Sequence, residues 1–254
     1  MLILSLDTTT RAGSCALMRD ERLLREQASD TSREQAERLP GELAALLERE
    51  SVTLQEIDCF AVATGPGSFT GLRVGIATMQ GLAMATGKGL VGVSAFDALR
   101  ACGASPVGSP GEPDAGSPRR TPARWGAVAR PTANTRIATW IDAWRGEVFA
   151  AVYEDGREVD APTVARPEDL LARLQGQATV FTGDGAALHR ELIRATLRDA
   201  AQFTDPVAPL LAGAIATLAG QAYRAGQRPP PHAIRPIYVR RPDAELARDV
   251  PHMP

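Results

Sequence analysis

Lysine is almost absent from this 254-residue chain, which contains Lys88 alone, so nearly all of its positive charge is arginine. The 28 basic and 30 acidic residues leave a formal net charge of -2. This balance excludes a global basic field that could hold RNA or DNA by itself.

Cysteine and histidine are also scarce. The three cysteines, Cys15, Cys59 and Cys102, are odd in number and scattered, which argues against a disulfide framework and a zinc knuckle. The three histidines, at positions 189, 232 and 252, lack the spacing of metal ligands. We therefore expect no metal site.

Long apolar runs are missing as well. No segment approaches the roughly 20 apolar residues of a membrane-spanning helix. The first ten residues, MLILSLDTTT, lack the basic start and long apolar core of a signal peptide. We expect a cytoplasmic protein without a membrane span.

Apolar residues nevertheless make up 44% of the chain, enough for a packed core, and their pattern begins with three strands. A helix containing Pro40 follows, with a kink or a late start expected at this proline. Strand, glycine-rich turn, helix, strand and helix come next. The predicted ranges are strands 2–6, 14–18, 23–28, 59–64 and 89–93, and helices 31–50, the segment after residue 68, and 94–102.

The second half repeats this order of three strands, helix, strand and helix. The predicted ranges are strands 136–143, 146–155, 157–165 and 178–185, and helices 167–174 and 186–197. Each half begins with a strand that ends in an aspartate, Asp7 or Asp142. We interpret the chain as a duplicated α/β unit, completed by a last helix over 206–225 and an extended basic tail.

Composition divides the chain into three parts. Residues 1–102 form a predicted N-terminal lobe and residues 135–254 a C-terminal lobe with the last helix and the basic tail. Residues 103–134 are rich in Pro, Gly, Ala and Ser, which is typical of a flexible insertion that does not order itself.

The turn Gly65-Pro66-Gly67-Ser68 lies between a strand and a helix, where many proteins bind phosphate. It matches neither the P-loop, the dinucleotide fingerprint nor the nucleophile elbow. The favoured interpretation is a tight corner with Ser68 or Thr70 capping the helix. An anion site at the helix terminus is the rival.

The helix after this turn carries a stripe of small residues: Ser68, Gly71, Gly75 and Thr78. Because glycine inside a helix costs about 1 kcal/mol relative to alanine, two glycines on one face indicate close approach of another helix. That neighbour is either the predicted helix 31–50 or a helix of another subunit.

Two turns contain candidate polar residues. Asp7-Thr8-Thr9 follows the first strand, where actin-like and sugar-kinase-like ATPases hold metal and phosphate, although an aspartate that merely closes a strand is the alternative. Asp184 lies in a second strand-to-helix turn. The tail arginines, among them Arg235, could contact phosphate or an acidic partner.

Several segments together resemble the TsaB family, also called YeaZ: DTTT, GPGSFTGLRVGIATMQGLA, VSAFDAL, DAWRGEVFAAVY, GDGA and PIYVRRPDAE. The resemblance covers the chain except the insertion. It implies an actin-like ATPase (ASKHA) fold built from two βββαβα lobes, in agreement with the duplicated pattern.

The resemblance also implies a function, which is to help make N6-threonylcarbamoyladenosine at position 37 of tRNAs that read codons beginning with A. A TsaD-like subunit would transfer the threonylcarbamoyl group from threonylcarbamoyl-AMP, and a TsaE-like ATPase would join the complex. This chain would be a non-catalytic subunit with no catalytic residues that contacts tRNA only indirectly. Asp7 and Thr8 would be a vestigial nucleotide site, with ATP and metal held by the partners.

The implied partner surface is formed by the first two helices of the N-terminal lobe. This favours subunit packing for Ser68, Gly71, Gly75 and Thr78, with a homodimer through the same helices as a second assembly. TsaD-like enzymes bind metal through an H-x-x-x-H motif, but Gln35 stands where a histidine often occurs in this family. The alternatives are a stand-alone ATPase or small-molecule kinase and, less favoured, a metalloprotease.

Overall fold

The computed structural model describes residues 1–30, 35–103 and 136–239. The predicted insertion lies outside these ranges except for Gly103, and so do the candidate helix cap at residues 31–32 and the tail arginines 240 and 241. The flexibility of the insertion and the boundaries of the two predicted lobes stay predictions.

The N-terminal half forms a five-stranded mixed sheet. Its central strand β1 pairs antiparallel with β2 and parallel with β4. The outer pairs are β2–β3, antiparallel, and β4–β5, parallel, so the order is β3-β2-β1-β4-β5. The strands are β1 (Leu2–Asp7), β2 (Ser14–Arg19), β3 (Arg22–Ala28), β4 (Cys59–Gly65) and β5 (Gly89–Ser94).

The second half repeats this sheet. β6 pairs antiparallel with β7 and parallel with β9, and the order is β8-β7-β6-β9-β10. Its strands are β6 (Arg136–Asp142), β7 (Val148–Glu154), β8 (Arg157–Ala165), β9 (Thr179–Thr182) and β10 (Ala201–Phe203). The prediction of a duplicated α/β unit with the actin-like ATPase fold is confirmed. Strand β10 was not predicted, because three residues are too few to show a strand period.

Seven α-helices lie within the described residues, and two predictions about them were wrong. The segment 186–197 is two helices, interrupted at His189. The last helix begins at Ala212 instead of residue 206, because Pro206 and Pro209 cannot donate helical hydrogen bonds. The helices are α1 (Gln35–Arg49), α2 (Phe69–Thr86), α3 (Ala95–Gly103), α4 (Pro167–Leu174), α5 (Asp184–Leu188), α6 (Arg190–Leu197) and α7 (Ala212–Arg224).

The two halves exchange helices across a shared core. α1 and α2 cover one face of the first sheet, where Leu46, Phe60 and Met79 are buried together. The other face is covered by α7, from the end of the chain, while α3 packs on β6 and β9 of the second sheet. Ile3 and Ile141, from the two central strands, therefore belong to one buried cluster.

The segment that follows α7 lies across α2 and the end of β4. Ile237 donates its backbone N–H to the carbonyl of Thr64 at 2.7 Å, and Gln80 donates to the carbonyls of Pro231 and Ile234 at 2.9 and 3.1 Å. Up to residue 239, the predicted extended tail is thus a strap bound to the N-terminal lobe. Within the described ranges, none of the helices combines the length and apolar character needed to span a bilayer.

Candidate functional site

The turn after β1 connects the two sheets where their central strands end. Arg11 donates from Nε to Oδ2 of Asp142, the last residue of β6, at 2.6 Å. Its backbone N–H donates to Oδ2 of Asp184, the first residue of α5, at 3.0 Å. Arg11 therefore connects the turn that contains Asp7 to the candidate Asp184, which lies 173 residues after Arg11 in the chain.

Asp7 is fully buried, and its carboxylate is engaged by its own turn. Oδ1 accepts the backbone N–H and the hydroxyl of Thr9 at 2.8 and 2.5 Å, and Oδ2 accepts the hydroxyl of Thr10 at 2.7 Å. Burial raises the pKa of Asp7 above its ordinary value, although these hydrogen bonds oppose the shift. Asp7 thus acts in this structure as the acceptor of a tight turn.

Asp142 and Asp184 form the matching arrangement in the second lobe. Oδ1 of Asp142 accepts the N–H of Trp144 at 2.9 Å, and the N–H of Asp142 donates to Oδ1 of Asp184 at 3.0 Å. Burial raises the pKa of Asp184, and the negative charges of Asp7 and Asp142 raise it further, against two backbone hydrogen bonds that lower it. The site is therefore acidic, with Arg11 as its bridging cation.

The N-terminus of α7 reaches the same region, and β2 and β3 satisfy its amide groups. Glu26 accepts the N–H of Gly213 at 2.7 Å, and the hydroxyl oxygen of Ser14 accepts those of Leu211 and Ala212 at 3.3 and 3.1 Å. Sequence reasoning missed Arg11, Ser14 and Glu26, because their partners lie more than a hundred residues away and no local spacing signals them.

Thr8, the second predicted nucleotide residue, faces away from this hydrogen-bond network towards α2. A Cβ atom at Gly75 would overlap the Thr8 hydroxyl oxygen and lie 3.0 Å from its Cγ2 atom. The buried Thr8 hydroxyl has no hydrogen-bond partner among the described residues. Gly75 thus lets α2 approach β1 within the chain itself.

The remaining residues of the small stripe also have internal contacts. Ser68 caps α2 by accepting the N–H of Gly71 at 3.2 Å, which confirms the corner-and-cap interpretation of the turn. Gly71 is buried, and the Thr78 hydroxyl donates to the carbonyl of Val74 at 2.8 Å. Contact of Ser68, Gly71, Gly75 and Thr78 with another subunit stays a prediction.

The outward side of α2 has an unusual composition. Met84 is 66% exposed, and small residues lie around it. Surface helices of globular proteins normally carry several charged residues on the outer face. On α2 only Arg73 is charged among the exposed residues, which are Phe69, Thr70, Arg73, Ala77, Gly81, Met84 and Ala85.

Comparison with known proteins relates this fold to a family and to curated relatives. Residues 27–110 match the family model described as "TsaD: tRNA N6-adenosine threonylcarbamoyltransferase". An uncharacterised protein of Mycobacterium leprae is 29% identical over 249 residues, which are 96% of this chain and 56% of that protein. The chain therefore spans little more than half the length of that relative.

A second relative carries a functional name, and a solved structure supports the same grouping. The tRNA threonylcarbamoyladenosine biosynthesis protein TsaB of Escherichia coli is 32% identical over 182 residues, covering 69% of this chain and 67% of that protein. The structure of YeaZ from Pseudomonas aeruginosa superposes with a TM-score of 0.68 at 26% identity, covering 93% of this chain and 99% of the other.

Proposed function

This chain belongs to the TsaB family, and we propose that it is a non-catalytic, activating subunit in the synthesis of N6-threonylcarbamoyladenosine at position 37 of tRNAs that read codons beginning with A. A TsaD-like partner performs the transfer from threonylcarbamoyl-AMP, and a TsaE-like ATPase supplies ATP turnover. The chain contacts tRNA only through these partners and works in the cytoplasm.

The observation that carries the non-catalytic role is the bridge made by Arg11 between the two sheets. In actin-like enzymes the residues after the first strand hold metal and phosphate. Here both oxygens of Asp7 already accept hydrogen bonds from Thr9 and Thr10, and Arg11 occupies Asp142 and Asp184. A metal–nucleotide complex would have to compete with these hydrogen bonds, which supports assigning ATP and metal to the partner subunits.

The amide groups of α7 support the same proposal. A helix N-terminus binds phosphate when its N–H groups are free to donate. At α7 the N–H groups of Leu211, Ala212 and Gly213 already donate to Ser14 and Glu26. The Glu26 carboxylate would also repel an incoming phosphate, which is why we assign ATP and metal to the partner subunits.

The partner surface that we propose is the outward side of α2. Its exposed residues are small or apolar apart from Arg73, and depletion of charged residues is typical of the core of a protein–protein interface. The stripe of Ser68, Gly71, Gly75 and Thr78 would support this surface by holding α2 close to β1. A homodimer through the same face would compete with the TsaD-like partner.

Reconstitution with purified proteins tests the function. The TsaD and TsaE homologues of the same organism are supplied with threonylcarbamoyl-AMP, ATP and unmodified tRNA, with and without this chain. We expect modified tRNA to form only when the chain is present, and no ATP hydrolysis by the chain alone. ATP hydrolysis by the isolated chain that Asp7→Ala abolishes would instead support the stand-alone ATPase.

The surface is tested by placing a charge on it. Ala77→Arg puts a long cation at the centre of the exposed side of α2, and we expect at least a tenfold loss of affinity for the TsaD homologue. Ala172→Arg is the matched control, because Ala172 is exposed on α4 of the other lobe. Equal affinities for the two variants would place the partner elsewhere.

A further inference from the structure

A cavity of about 470 Å³ lies between the outward side of α2 and the strap that follows α7. Its apolar walls are Ile76, Ala77, Ile234 and Pro236, and two arginines, Arg73 and Arg235, reach it from opposite elements. Gln80 and Tyr238 complete the lining as far as the structure describes it, and no carboxylate is among these residues. The cavity therefore combines an apolar floor with a surplus of positive charge.

Arg73 is held in place by two aromatic side chains. Its guanidinium carbon lies 3.9 Å from the centre of the Phe69 ring, and its Nε donates to the Tyr238 hydroxyl at 3.1 Å. The Phe69 and Tyr238 rings contact each other, with centroids 5.1 Å apart. The two terminal nitrogens of Arg73 have no hydrogen-bond partner within the described part of the chain, so its donors are oriented and free.

The strap holds Arg235 opposite Arg73. On one side of Arg235 the carbonyl of Ile234 accepts a hydrogen bond from Gln80, and on the other the N–H of Ile237 donates to Thr64. The backbone of Arg235 is thus fixed by its neighbours while its side chain is exposed. Arg235 pairs with no carboxylate in the residues that the structure describes.

We propose that this cavity receives an acidic side chain, aspartate or glutamate, from the protein partner that docks on α2. The planar guanidinium of Arg73 would bind the carboxylate through two parallel hydrogen bonds, and Arg235 would add a second positive charge. The apolar walls would contact the methylene groups of the acidic residue. This inference rests on the proposed function for the identity of the partner.

A protein carboxylate fits the cavity better than RNA does. RNA binding usually draws on an extended row of cations that follows the phosphate backbone. Here two arginines converge on one concave, largely apolar space, and the chain has a net charge of -2. The cavity also shares Arg73 and Ala77 with the outward side of α2, so a partner on that side would cover both.

The test compares the affinity of the full-length chain for the purified TsaD homologue across a set of variants. They are Arg73→Gln, Arg73→Lys, Arg235→Gln and Arg173→Gln, the last removing an equal charge from α4 in the other lobe. The melting temperature of each variant is measured first, because Arg73 also packs on Phe69 and its loss could change the stability of the fold. We expect Arg73→Gln and Arg235→Gln to lose about tenfold or more in affinity, and Arg173→Gln to lose nothing.

The variant Arg73→Lys and the salt dependence of binding distinguish a hydrogen-bonded carboxylate from attraction by charge alone. Arg73→Lys retains the charge but cannot make two parallel hydrogen bonds, so it should bind more weakly than the unmodified chain. Raising the salt concentration should lower the affinity of the unmodified chain for the TsaD homologue more than it lowers the affinity of Arg73→Gln. Equal salt responses would contradict a carboxylate in the cavity.

The outcomes distinguish this inference from the proposed function. If the unmodified chain does not bind the TsaD homologue, the proposed partner is wrong and this inference falls with it. If Ala77→Arg abolishes binding while the arginine variants bind normally, the partner stands and the acidic contact is wrong. Normal binding of the TsaD homologue together with weakened binding of tRNA would assign the arginines to RNA.

Discussion

The first central strand, β1, ends at Asp7, whose carboxylate accepts hydrogen bonds from Thr9 and Thr10 of its own turn and from no other residue in the described ranges. The second, β6, ends at Asp142, whose carboxylate also binds Arg11 from the first half of the chain. Both aspartates close equivalent strands of a repeated sheet. The two lobes thus have an aspartate at the same position, but its role depends on the neighbouring residues. Asp7 stabilises a turn, whereas Asp142 connects the two lobes.

The helices beside these two strand ends also differ in what their buried glycines approach. In the first lobe Gly75 of α2 approaches a side chain, that of Thr8. In the second lobe Gly185 of α5 approaches backbone, since a Cβ there would lie 2.9 Å from the carbonyl carbon of Ile141 and 3.0 Å from the nitrogen of Asp142. Four substitutions test how far the two lobes are alike.

Gly185→Ala should have the largest effect. A central strand of the buried sheet cannot move away from the new methyl group, so we expect a loss of about 3 kcal/mol or more in the free energy of unfolding. Urea unfolding of the purified variant measures it. Gly176→Ala would also be strained, by its positive φ, but nothing lies near its Cβ. A loss at Gly185 no larger than at Gly176 would refute the close approach.

Gly75→Ala should cost less, about 1–3 kcal/mol, because the Thr8 side chain can partly rotate away. Gly81 offers a matched control on the same helix, since nothing lies within 4 Å of a Cβ there. Gly81→Ala should raise stability by about 0.5–1 kcal/mol through helix propensity. Thermal melting of both variants gives the comparison, and stabilisation by Gly75→Ala would mean that α2 and β1 are further apart than described.

Arg11→Ala removes the side-chain contact with Asp142 but retains the backbone N–H that donates to Asp184, and it should cost about 1–2 kcal/mol. The Asp142 carboxylate is buried and would lose its cation, but the Arg11 side chain is 60% exposed, which moderates the loss. In the pair of Arg25 and Glu50 the carboxylate is more exposed, at 19% against 3% for Asp142, so Arg25→Ala should cost less than about 1 kcal/mol. Equal losses in urea unfolding would show that the bridge contributes no more than a surface ion pair.

Glu26→Gln should have the smallest effect, visible mainly as a change in pH dependence. Burial raises the pKa of Glu26 above the ordinary 4.5, so its contribution to stability is complete below that pH and is lost as the pH rises through the folded value. Glutamine retains an oxygen for the Gly213 N–H but cannot ionise. The stability of the variant relative to the unmodified chain should therefore increase from acidic to neutral pH.

Glu56 supplies the control of opposite sign. Hydrogen bonds from Thr53 lower its pKa, so its contribution is present above the ordinary pKa and is lost as the pH falls. Glu56→Gln should accordingly lose stability relative to the unmodified chain as the pH rises. Melting curves recorded at a series of pH values give the stability of each variant relative to the unmodified chain. If this difference changed with pH in the same direction for both variants, the environments assigned to the two carboxyl groups would be wrong.

Much of the architecture could be predicted from local pattern. The apolar runs of β1 and β4 and the exact span of α4, Pro167–Leu174, follow from strand and helix periods and from a proline at the first helical position. The repeated order of elements gave the duplication. The missed features, β10 and the break at His189, are short, and a stretch of three to five residues contains too little periodicity to recognise.

The candidate site divides in the same way. The sequence by itself determined that an aspartate ends each central strand and that Ser68 or Thr70 caps α2, because each depends on residues a few positions apart, and the structure selects Ser68. Only the tertiary structure decided that Arg11 joins Asp142 to Asp184, that Glu26 and Ser14 bind the start of α7, and that Gly75 faces Thr8. These contacts connect residues 67 to 198 positions apart in the chain. Such residues are brought together by the packing of the two sheets and their exchanged helices, and no pattern of nearby residues in the sequence reveals these pairs.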